Sequence, residues 1–196
     1  MTILHIVILE GARGTGKSTL AVKLRQRISE TTLINFTGFH DDGDEGLKKV
    51  VEYYNSWMSL FEQLGKIGHD SRYVFDRFFF TETVFSELYK EYNFKSVHRQ
   101  LCSKLDNLGK DVKIDVVFLT VEDREELQNR LTRDKVPFGK VEESVEESIK
   151  QQNMYYNLFY GLKLNYSNIN IHAIETDGKT NEDVYAEIEN IVKTAQ

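Results

Sequence analysis

The chain contains a single cysteine, Cys102, among its 196 residues. An intrachain disulfide therefore cannot form, which excludes a disulfide-stapled secreted domain and is typical of a reducing compartment. The segment QLCSKL places Cys102 beside apolar positions of a helical pattern, so we interpret it as a core residue rather than a nucleophile.

Long apolar runs are also missing from the sequence. No segment approaches the roughly 20 apolar residues that cross a bilayer. The early segment ILHIVIL has neither a basic region before it nor a small-residue cleavage site after it, as a signal peptide would. We therefore expect a soluble, cytoplasmic protein that does not bind a membrane.

Basic residues are outnumbered, with 25 Lys and Arg against 31 Asp and Glu and a formal net charge of -6. This balance argues against a protein whose main task is to bind the nucleic-acid backbone, because that task needs clustered positive charge. Hydrophobic residues at 40% and charged residues at 29% are ordinary for a globular fold. We predict one domain over residues 1–196.

Short apolar segments alternate with helical patterns along the chain. The segments with strand character are 3–9, 32–36, 72–76, 114–121 and 169–175. Helical crossovers between them require a mostly parallel sheet with helices on both faces. After the fourth strand, one long polar helical region is predicted from residue 123 to about residue 164.

The segment GARGTGKS, residues 11–18, matches the pattern G-x-x-x-x-G-K-[ST] at every fixed position. The glycines let the backbone curl so that N–H groups point at phosphate oxygens, while Lys17 adds positive charge and Ser18 offers a hydroxyl to Mg²⁺. The motif stands between a predicted strand and a predicted helix, which is the context it needs. It predicts a nucleoside triphosphate site formed by Gly11, Arg13, Gly14, Thr15, Gly16, Lys17, Ser18 and Thr19.

Asp76 and Arg77 follow the third predicted strand, where the carboxyl ends of central strands face the ligand crevice. Such an acid can serve Mg²⁺ or an acceptor hydroxyl, and the arginine can bind an anionic group. A strand-end ion pair is the structural alternative.

Arg130 and Arg133 lie one helical turn apart after the fourth strand. We predict a lid over about residues 123–142 that closes these arginines over the transferred phosphoryl group. An ordinary solvated helix is the alternative interpretation.

Four motifs together resemble the thymidylate kinase and deoxynucleoside kinase group: GARGTGKST, DRF, the arginine-bearing segment, and TDGKT after the fifth strand. Their order covers nearly the full chain. The resemblance implies a three-layer α/β P-loop NTPase fold with a five-stranded parallel sheet in the order 2-3-1-4-5. It also implies transfer of the ATP γ-phosphate to a nucleotide or nucleoside with Mg²⁺, and many relatives are homodimers.

The resemblance further implies roles for individual positions. Arg77 would contact the phosphate or sugar end of the acceptor, and Asp177 and Lys179 would lie near adenine in the loop 176–179. Some thymidylate kinases carry a basic residue in the phosphate loop, as Arg13 is placed here, so Arg13 is a candidate clamp on the moving phosphoryl group. Ser18 and Asp76 are the candidate Mg²⁺ ligands.

Two departures from that group bear on the acceptor. The group usually has Arg-Glu-Pro or Glu-Pro after the second strand, where this chain has TGFHDDGDEG, and nucleoside kinases prefer Glu-Arg-Ser where this chain has Asp76-Arg77-Phe78. A hydroxyl acceptor needs a positioned base, whereas a monophosphate is already an anionic nucleophile that mainly needs positive clamps. The sequence therefore favours a deoxynucleoside monophosphate, although Asp76 as a base keeps a nucleoside open.

Aromatic side chains in the second and third helical segments are candidates for stacking on the acceptor ring. These are Trp57, Phe61, Phe79 and Phe80, with Gln63 as a candidate reader of a base edge. Core packing is the alternative for each aromatic ring.

Three further functions stay open at this point: a deoxynucleoside kinase on the same scaffold, a kinase acting on a hydroxyl within DNA, and a nucleotide-binding regulatory switch. The chain has no Asn-Lys-x-Asp motif, which argues against a GTPase switch. A salt-sensitive affinity for DNA would favour the DNA-directed kinase.

Overall fold

The protein folds around a five-stranded parallel sheet. The structure, a computed structural model, describes residues 4–35, 41–68, 71–109, 112–133 and 141–193. The strands are β1 (Leu4–Glu10), β2 (Thr31–Asn35), β3 (Arg72–Asp76), β4 (Val112–Thr120) and β5 (Ile169–Glu175). Their order across the sheet is β2-β3-β1-β4-β5, and every neighbouring pair is parallel, which confirms the predicted topology.

Helices cover both faces of the sheet. They are α1 (Lys17–Arg27), α2 (Gly43–Ile67), α3 (Phe79–Tyr89), α4 (Lys95–Asp106), α5 (Arg124–Arg133), α6 (Val141–Asn165) and α7 (Asn181–Lys193). Within the described residues, none of these helices is long and apolar enough to span a bilayer.

Alternate residues of each central strand point to opposite faces and build two cores. Ile6 and Ile8 of β1 pack with α2, α3, α4 and α6, whereas Val7 and Leu9 pack with α1 and α7. All seven residues of β1 are buried, as expected for a parallel strand covered on both sides. The three-layer arrangement is thereby confirmed.

Some element boundaries differ from the sequence predictions. The single predicted region 123–164 forms two helices, α5 and α6, and residues 134–140 between them, including Pro137, lie outside the described residues. The central part of the predicted lid therefore stays a prediction. Helix α2 begins at Gly43, because Asp42 accepts its N–H at 2.8 Å and acidic residues in the first turn favour a helix start.

The carboxyl ends of all five strands meet at one edge of the sheet because the strands are parallel. Residues 11–16 leave β1 at this edge, Arg77 leaves β3 there, and Thr176 leaves β5 there. Leu9 pairs with Asp76 in the register of β1 and β3. The fold thus brings the phosphate-loop motif and the Asp76-Arg77 pair side by side.

A second polar cluster lies toward the opposite, amino edge of the sheet. Asp115 in β4 is 1% exposed, and its carboxylate oxygens lie 2.7 Å from His5 Nε2, 2.8 Å from His172 Nε2 and 3.0 Å from Lys113 Nζ. Burial opposes ionisation, but hydrogen bonds from His172, His5 and Lys113 hold the pKa of Asp115 well below its usual range. This cluster therefore stabilises the sheet far from the phosphate loop.

Removing the Asp115 carboxylate should destabilise the whole fold. We expect Asp115→Ala to lower the free energy of unfolding by about 3 kcal/mol, because it leaves buried donors without their partner. Since the carboxylate is ionised in the folded state, its contribution is present at neutral pH and is lost as the pH falls below about 4. Urea unfolding at pH 7 measures the loss. As a control, Glu62→Ala breaks only an exposed pair with Lys66 and should leave the midpoint nearly unchanged; equal midpoints for both variants would contradict the assignment.

Candidate functional site

The phosphate loop connects β1 to α1 through three glycines with positive φ. Gly11 has φ 149°, Gly14 has φ 84° and Gly16 has φ 82°, values that L side chains rarely adopt. A Cβ on Gly11 would also lie 2.5 Å from the Leu119 carbonyl oxygen. The fixed glycines of the motif are therefore required by the backbone.

The N-terminus of α1 is built to receive an anion. The helix begins at Lys17, and the N-cap residue Gly16 has no side chain to satisfy the first N–H groups. No acidic residue stands in the first turn, so the helix dipole presents positive charge to the loop. Thr15 donates from Oγ1 to the Ala12 carbonyl at 3.0 Å, which fixes the loop, while Ser18 is exposed at the helix start.

Lys17 is buried and points toward the end of β3. Its side chain is 5% exposed, and its Nζ lies 3.8 Å from Asp76 Oδ1. Burial and then the nearby Arg77 guanidinium lower the pKa of Lys17 to about 8, while Asp76 and Glu10 oppose this shift. A bound polyanion would favour the protonated form.

Asp76 carries a buried oxygen that receives no hydrogen bond from the described residues. The residue is 3% exposed, and its Oδ1 has no hydrogen-bond partner within the described part of the chain. Buried polar atoms are normally paired, so this oxygen is suited to a ligand that the protein receives from solution. A carboxylate beside the phosphate loop, with the Ser18 hydroxyl at the start of α1, fits the oxygen ligands that Mg²⁺ prefers.

Arg77 sits in a strained backbone conformation next to Asp76. Its φ is 77°, which costs a residue other than glycine about 1 kcal/mol or more. Its N–H donates to the Leu9 carbonyl at 3.0 Å, and its guanidinium carbon lies 5.6 Å from the ring centroid of Phe85. The strained turn directs the guanidinium toward α3 instead of along the sheet.

Glu10 is a site residue that the sequence analysis missed. It is completely buried at the end of β1 and accepts hydrogen bonds from Phe78 N–H at 2.8 Å, Thr81 Oγ1 at 2.6 Å and Tyr155 OH at 3.3 Å. Burial raises its pKa to about 7 against the opposing effect of these donors. Glu10 therefore ties the phosphate loop to the residue after Arg77 and to α6. The signal was an acid ending an otherwise apolar strand directly before the motif.

One cavity of about 520 Å³ opens beside the phosphate loop on the side of β5 and α7; we call it the donor cavity. It is lined by Gly14, Gly16, Thr19, Glu126, Asn129, Arg130, Arg133, Lys179, Thr180 and Asn181. It brings together the loop, both predicted lid arginines and Lys179.

Contacts fix several of these donor-side residues. Arg130 donates to Thr176 Oγ1 at 2.8 Å and to the Thr176 carbonyl at 2.7 Å, and its Nε donates to Glu126 at 3.0 Å. Lys179 pairs with Glu187 at 2.7 Å. Asp177 accepts the backbone N–H groups of residues 122 and 123 at 2.8 Å each, so it joins the loops after β4 and β5.

A second cavity of about 490 Å³ lies between α3 and α6, on the other side of the loop; we call it the α3–α6 cavity. Its lining consists of Arg13, Phe85, Tyr89, Glu143, Ser144, Glu147, Ser148 and Gln151. Arg13 is thus the loop residue that faces this cavity, while Gly14 and Gly16 face the donor cavity.

The aromatic candidates for the acceptor ring lie mainly in the core. Phe61, Phe79 and Phe80 are fully buried, and Trp57 is half-buried with its ring centroid 5.0 Å from that of Phe75. Gln63 is exposed near the C-terminus of α2, which leads to the start of β3 at the edge opposite the phosphate loop. Phe61, Phe79 and Phe80 therefore match the core-packing alternative, and the acceptor roles of Trp57 and Gln63 stay predictions.

Comparison with known proteins identifies solved structures that share the fold of this chain. No protein-family model and no curated protein matches the chain. Among solved structures, a thymidylate kinase from Candida albicans, described for its broad substrate specificity, matches with a TM-score of 0.54 and 19% identity over 96% of this chain and 91% of its own.

Two further solved structures share this fold. A thymidylate kinase from Ehrlichia chaffeensis has a TM-score of 0.58 and 14% identity, and a deoxyadenosine kinase from M. mycoides with dCMP and dCDP bound has a TM-score of 0.55 and 14% identity. Each match covers 97% of this chain and 100% of the other. At this identity the similarity shows a shared fold.

We expect Glu10 to stabilise the fold more through its hydrogen bonds than through its charge. We expect Glu10→Ala to lower the free energy of unfolding by about 3 kcal/mol, because it leaves the Phe78 N–H and the Thr81 hydroxyl unsatisfied in the core. Glu10→Gln keeps an acceptor for Phe78 and should lose less than half as much. Urea unfolding of the two variants measures the difference, and equal losses would show that the charge, rather than the hydrogen bonds, stabilises this turn.

Proposed function

We propose that the chain is a P-loop kinase that transfers the γ-phosphoryl group of ATP to a deoxynucleoside monophosphate. The observation that carries the proposal is the convergence of Lys17, Asp76 and Arg77 at the N-terminus of α1, where β1 and β3 end together. Phosphoryl transfer needs this combination of positioned positive charge and a carboxylate more than it needs covalent chemistry. The fold shared with thymidylate and deoxynucleoside kinases supports the same reaction class.

The donor half of the reaction belongs to the phosphate loop and the donor cavity. Backbone N–H groups of the loop and the dipole of α1 hold the β- and γ-phosphates. The Lys17 ammonium group stabilises their negative charge during the transfer. Ser18 and Asp76 are the residues that would hold Mg²⁺, which when bound neutralises charge on the phosphate oxygens. Arg130, Arg133 and Lys179 line the donor cavity, so we assign them to the donor nucleotide.

The acceptor half belongs to the side of the loop that carries Arg13. Arg77 and Arg13 supply the positive charge that brings two phosphate groups together against their repulsion. A monophosphate needs no base to become a nucleophile, which suits a site whose second-strand loop has no Glu-Pro.

A deoxynucleoside kinase is the second candidate, and one observation favours it. The Asp76 carboxylate is buried, and its Oδ1 is unpaired within the described residues, so it can accept the proton of a 5′-hydroxyl. The choice between the two acceptors depends on whether Arg77 recognises a phosphate. A homodimer, a cytoplasmic location and the DNA-directed alternative stay predictions.

Loss of Lys17 should abolish transfer. We expect Lys17→Ala to lower kcat by at least about 100-fold, the usual effect of removing one preorganised charge that stabilises a transition state. ADP release with ATP, Mg²⁺ and a panel of deoxynucleosides and their monophosphates measures it. Lys23→Ala on the same helix removes a lysine that pairs with Glu182 at the surface, and it should turn over normally. Near-normal turnover by a folded Lys17→Ala protein would overturn the kinase assignment.

Replacing Arg77 should separate the two acceptors. We expect Arg77→Ala to raise the KM for a monophosphate at least about tenfold, because a charge-assisted contact to phosphate is lost, with the KM for ATP nearly unchanged. Steady-state kinetics against each substrate measures both constants, and Arg77→Lys, which keeps the charge, should recover part of the loss. An effect confined to the KM for ATP would contradict the acceptor role, and an equal effect on nucleosides would favour the second candidate.

A further inference from the structure

The α3–α6 cavity has an aromatic wall that suits a planar ring. Phe85 and Tyr89 stand one turn apart on α3, with ring centroids 5.3 Å apart and planes at 69°. The guanidinium of Arg77 lies over Phe85, on the side nearest the transfer site. The wall therefore begins at a positive charge and continues outward along α3.

A series of hydrogen bonds connects Tyr89 of this wall to α6 and ends on a carboxylate. Gln151 Nε2 donates to Tyr89 OH at 3.0 Å, and Tyr89 OH donates to the carboxylate of Glu147. Burial raises the pKa of Tyr89 to about 12, so the phenol stays protonated and keeps this direction of donation. Among these three side chains, the Glu147 carboxylate is the strongest hydrogen-bond acceptor because it is charged.

The lining of the cavity carries charges of both signs. Arg13 joins it from the phosphate loop, whereas Glu143, Glu147 and Gln151 line it from α6. Residues 143–151 of α6 span about 12 Å at 1.5 Å per residue, comparable to a nucleoside monophosphate from phosphate to base. A ligand with a phosphate at Arg13 and Arg77 would therefore place its base between Phe85 and Glu147.

The carboxylate discriminates between bases by hydrogen-bond polarity. An exocyclic amino group donates to Glu147, as occurs at C4 of cytosine or C6 of adenine. A carbonyl oxygen at the same position, as in thymine, uracil or hypoxanthine, would face the carboxylate with no proton between them. Glu147 is half-exposed, accepts from Tyr89 OH and lies 3.8 Å from Lys150 Nζ. A keto base therefore forgoes a hydrogen bond to a charged acceptor and brings two acceptor oxygens together, which is unfavourable.

We propose that the α3–α6 cavity holds the acceptor and that Glu147, positioned by Tyr89 and Gln151, selects a deoxynucleotide whose base carries an exocyclic amino group. The proposal rests on the proposed function, since it identifies this cavity as the acceptor side of the same site. It predicts that the protein prefers acceptors whose base carries an exocyclic amino group and disfavours thymine nucleotides.

Matched acceptor pairs test the selection directly. dCMP and dUMP differ in the amino or keto group at C4 and in the N3 proton that the keto base carries, and dAMP and dIMP differ in the same way at C6 and N1. We expect kcat/KM to favour the amino member of at least one pair by about tenfold or more, as for a hydrogen bond to a charged group. In Glu147→Gln the ratio should fall toward one, because the amide offers both a donor and an acceptor.

Glu146→Gln is the matched control. It makes the same charge change on the neighbouring residue, whose carboxylate pairs with Arg124 away from the cavity, so the amino-to-keto ratio should stay as in the unaltered protein. Equal use of both members of each pair, a preference for the keto members, or a ratio unchanged by Glu147→Gln would each overturn the proposal.

A binding measurement separates this proposal from the proposed function. Calorimetric titration of the same four monophosphates, and of deoxycytidine and deoxyuridine, needs no turnover. Preferential binding of amino members that is lost in Glu147→Gln supports the cavity assignment even if no phosphoryl transfer occurs. Turnover with indifferent binding supports the kinase and overturns the selection, and the absence of both binding and turnover overturns both.

Discussion

The candidate site depends on the way β1 and β3 end side by side. Arg77 N–H donates to the Leu9 carbonyl, and Phe78 N–H donates to the Glu10 carboxylate. The segments that follow β1 and β3 must therefore turn at the same level of the sheet. One turn becomes the phosphate loop, and the other holds Arg77 at positive φ. Neither turn is intrinsically favourable, and the buried Glu10 carboxylate stabilises them as a pair. Lys17 reaches the end of β3 because the two turns are locked together.

This arrangement buries the side chains of Lys17 and Glu10, and each favours the charged form of the other. Burial lowers the pKa of Lys17 to about 8 and raises that of Glu10 to about 7, and each side chain opposes the shift of the other. The protein as a whole carries a formal charge of -6, so its overall field repels a nucleotide. Any anion at the loop would therefore depend on the local charges there: the start of α1, Lys17, Arg77 and Arg13. A bound triphosphate would restore the protonated form of Lys17 and reinforce this site.

The sequence predicted those parts of the site that local chemistry determines. The motif and its strand-to-helix context predicted a tight loop, whose glycines adopt positive φ, and the parallel sheet brings Asp76 and Arg77 beside it. The roles of these residues in binding stay predictions. Glu10 was missed because the motif begins one residue later and a buried acid is visible only through its partners. The acceptor role of Trp57 stays a prediction, because hydrophobic periodicity reports which face of a helix is buried but not what it is buried against. Which cavity an arginine enters is likewise a tertiary property.

Buried carboxylates at the two edges of the sheet show how structural and functional acids can be separated. Asp115 and Asp76 are almost equally buried, at 1% and 3% exposure. Asp115 is surrounded by two histidines and a lysine within 3.0 Å, so its negative charge is compensated inside the fold. Asp76 has an unpaired Oδ1 within the described residues, and its closest cation, Lys17, is 3.8 Å away. Because a buried oxygen without a hydrogen bond is costly, Asp76 Oδ1 is better suited than Asp115 to a ligand that the protein receives from solution.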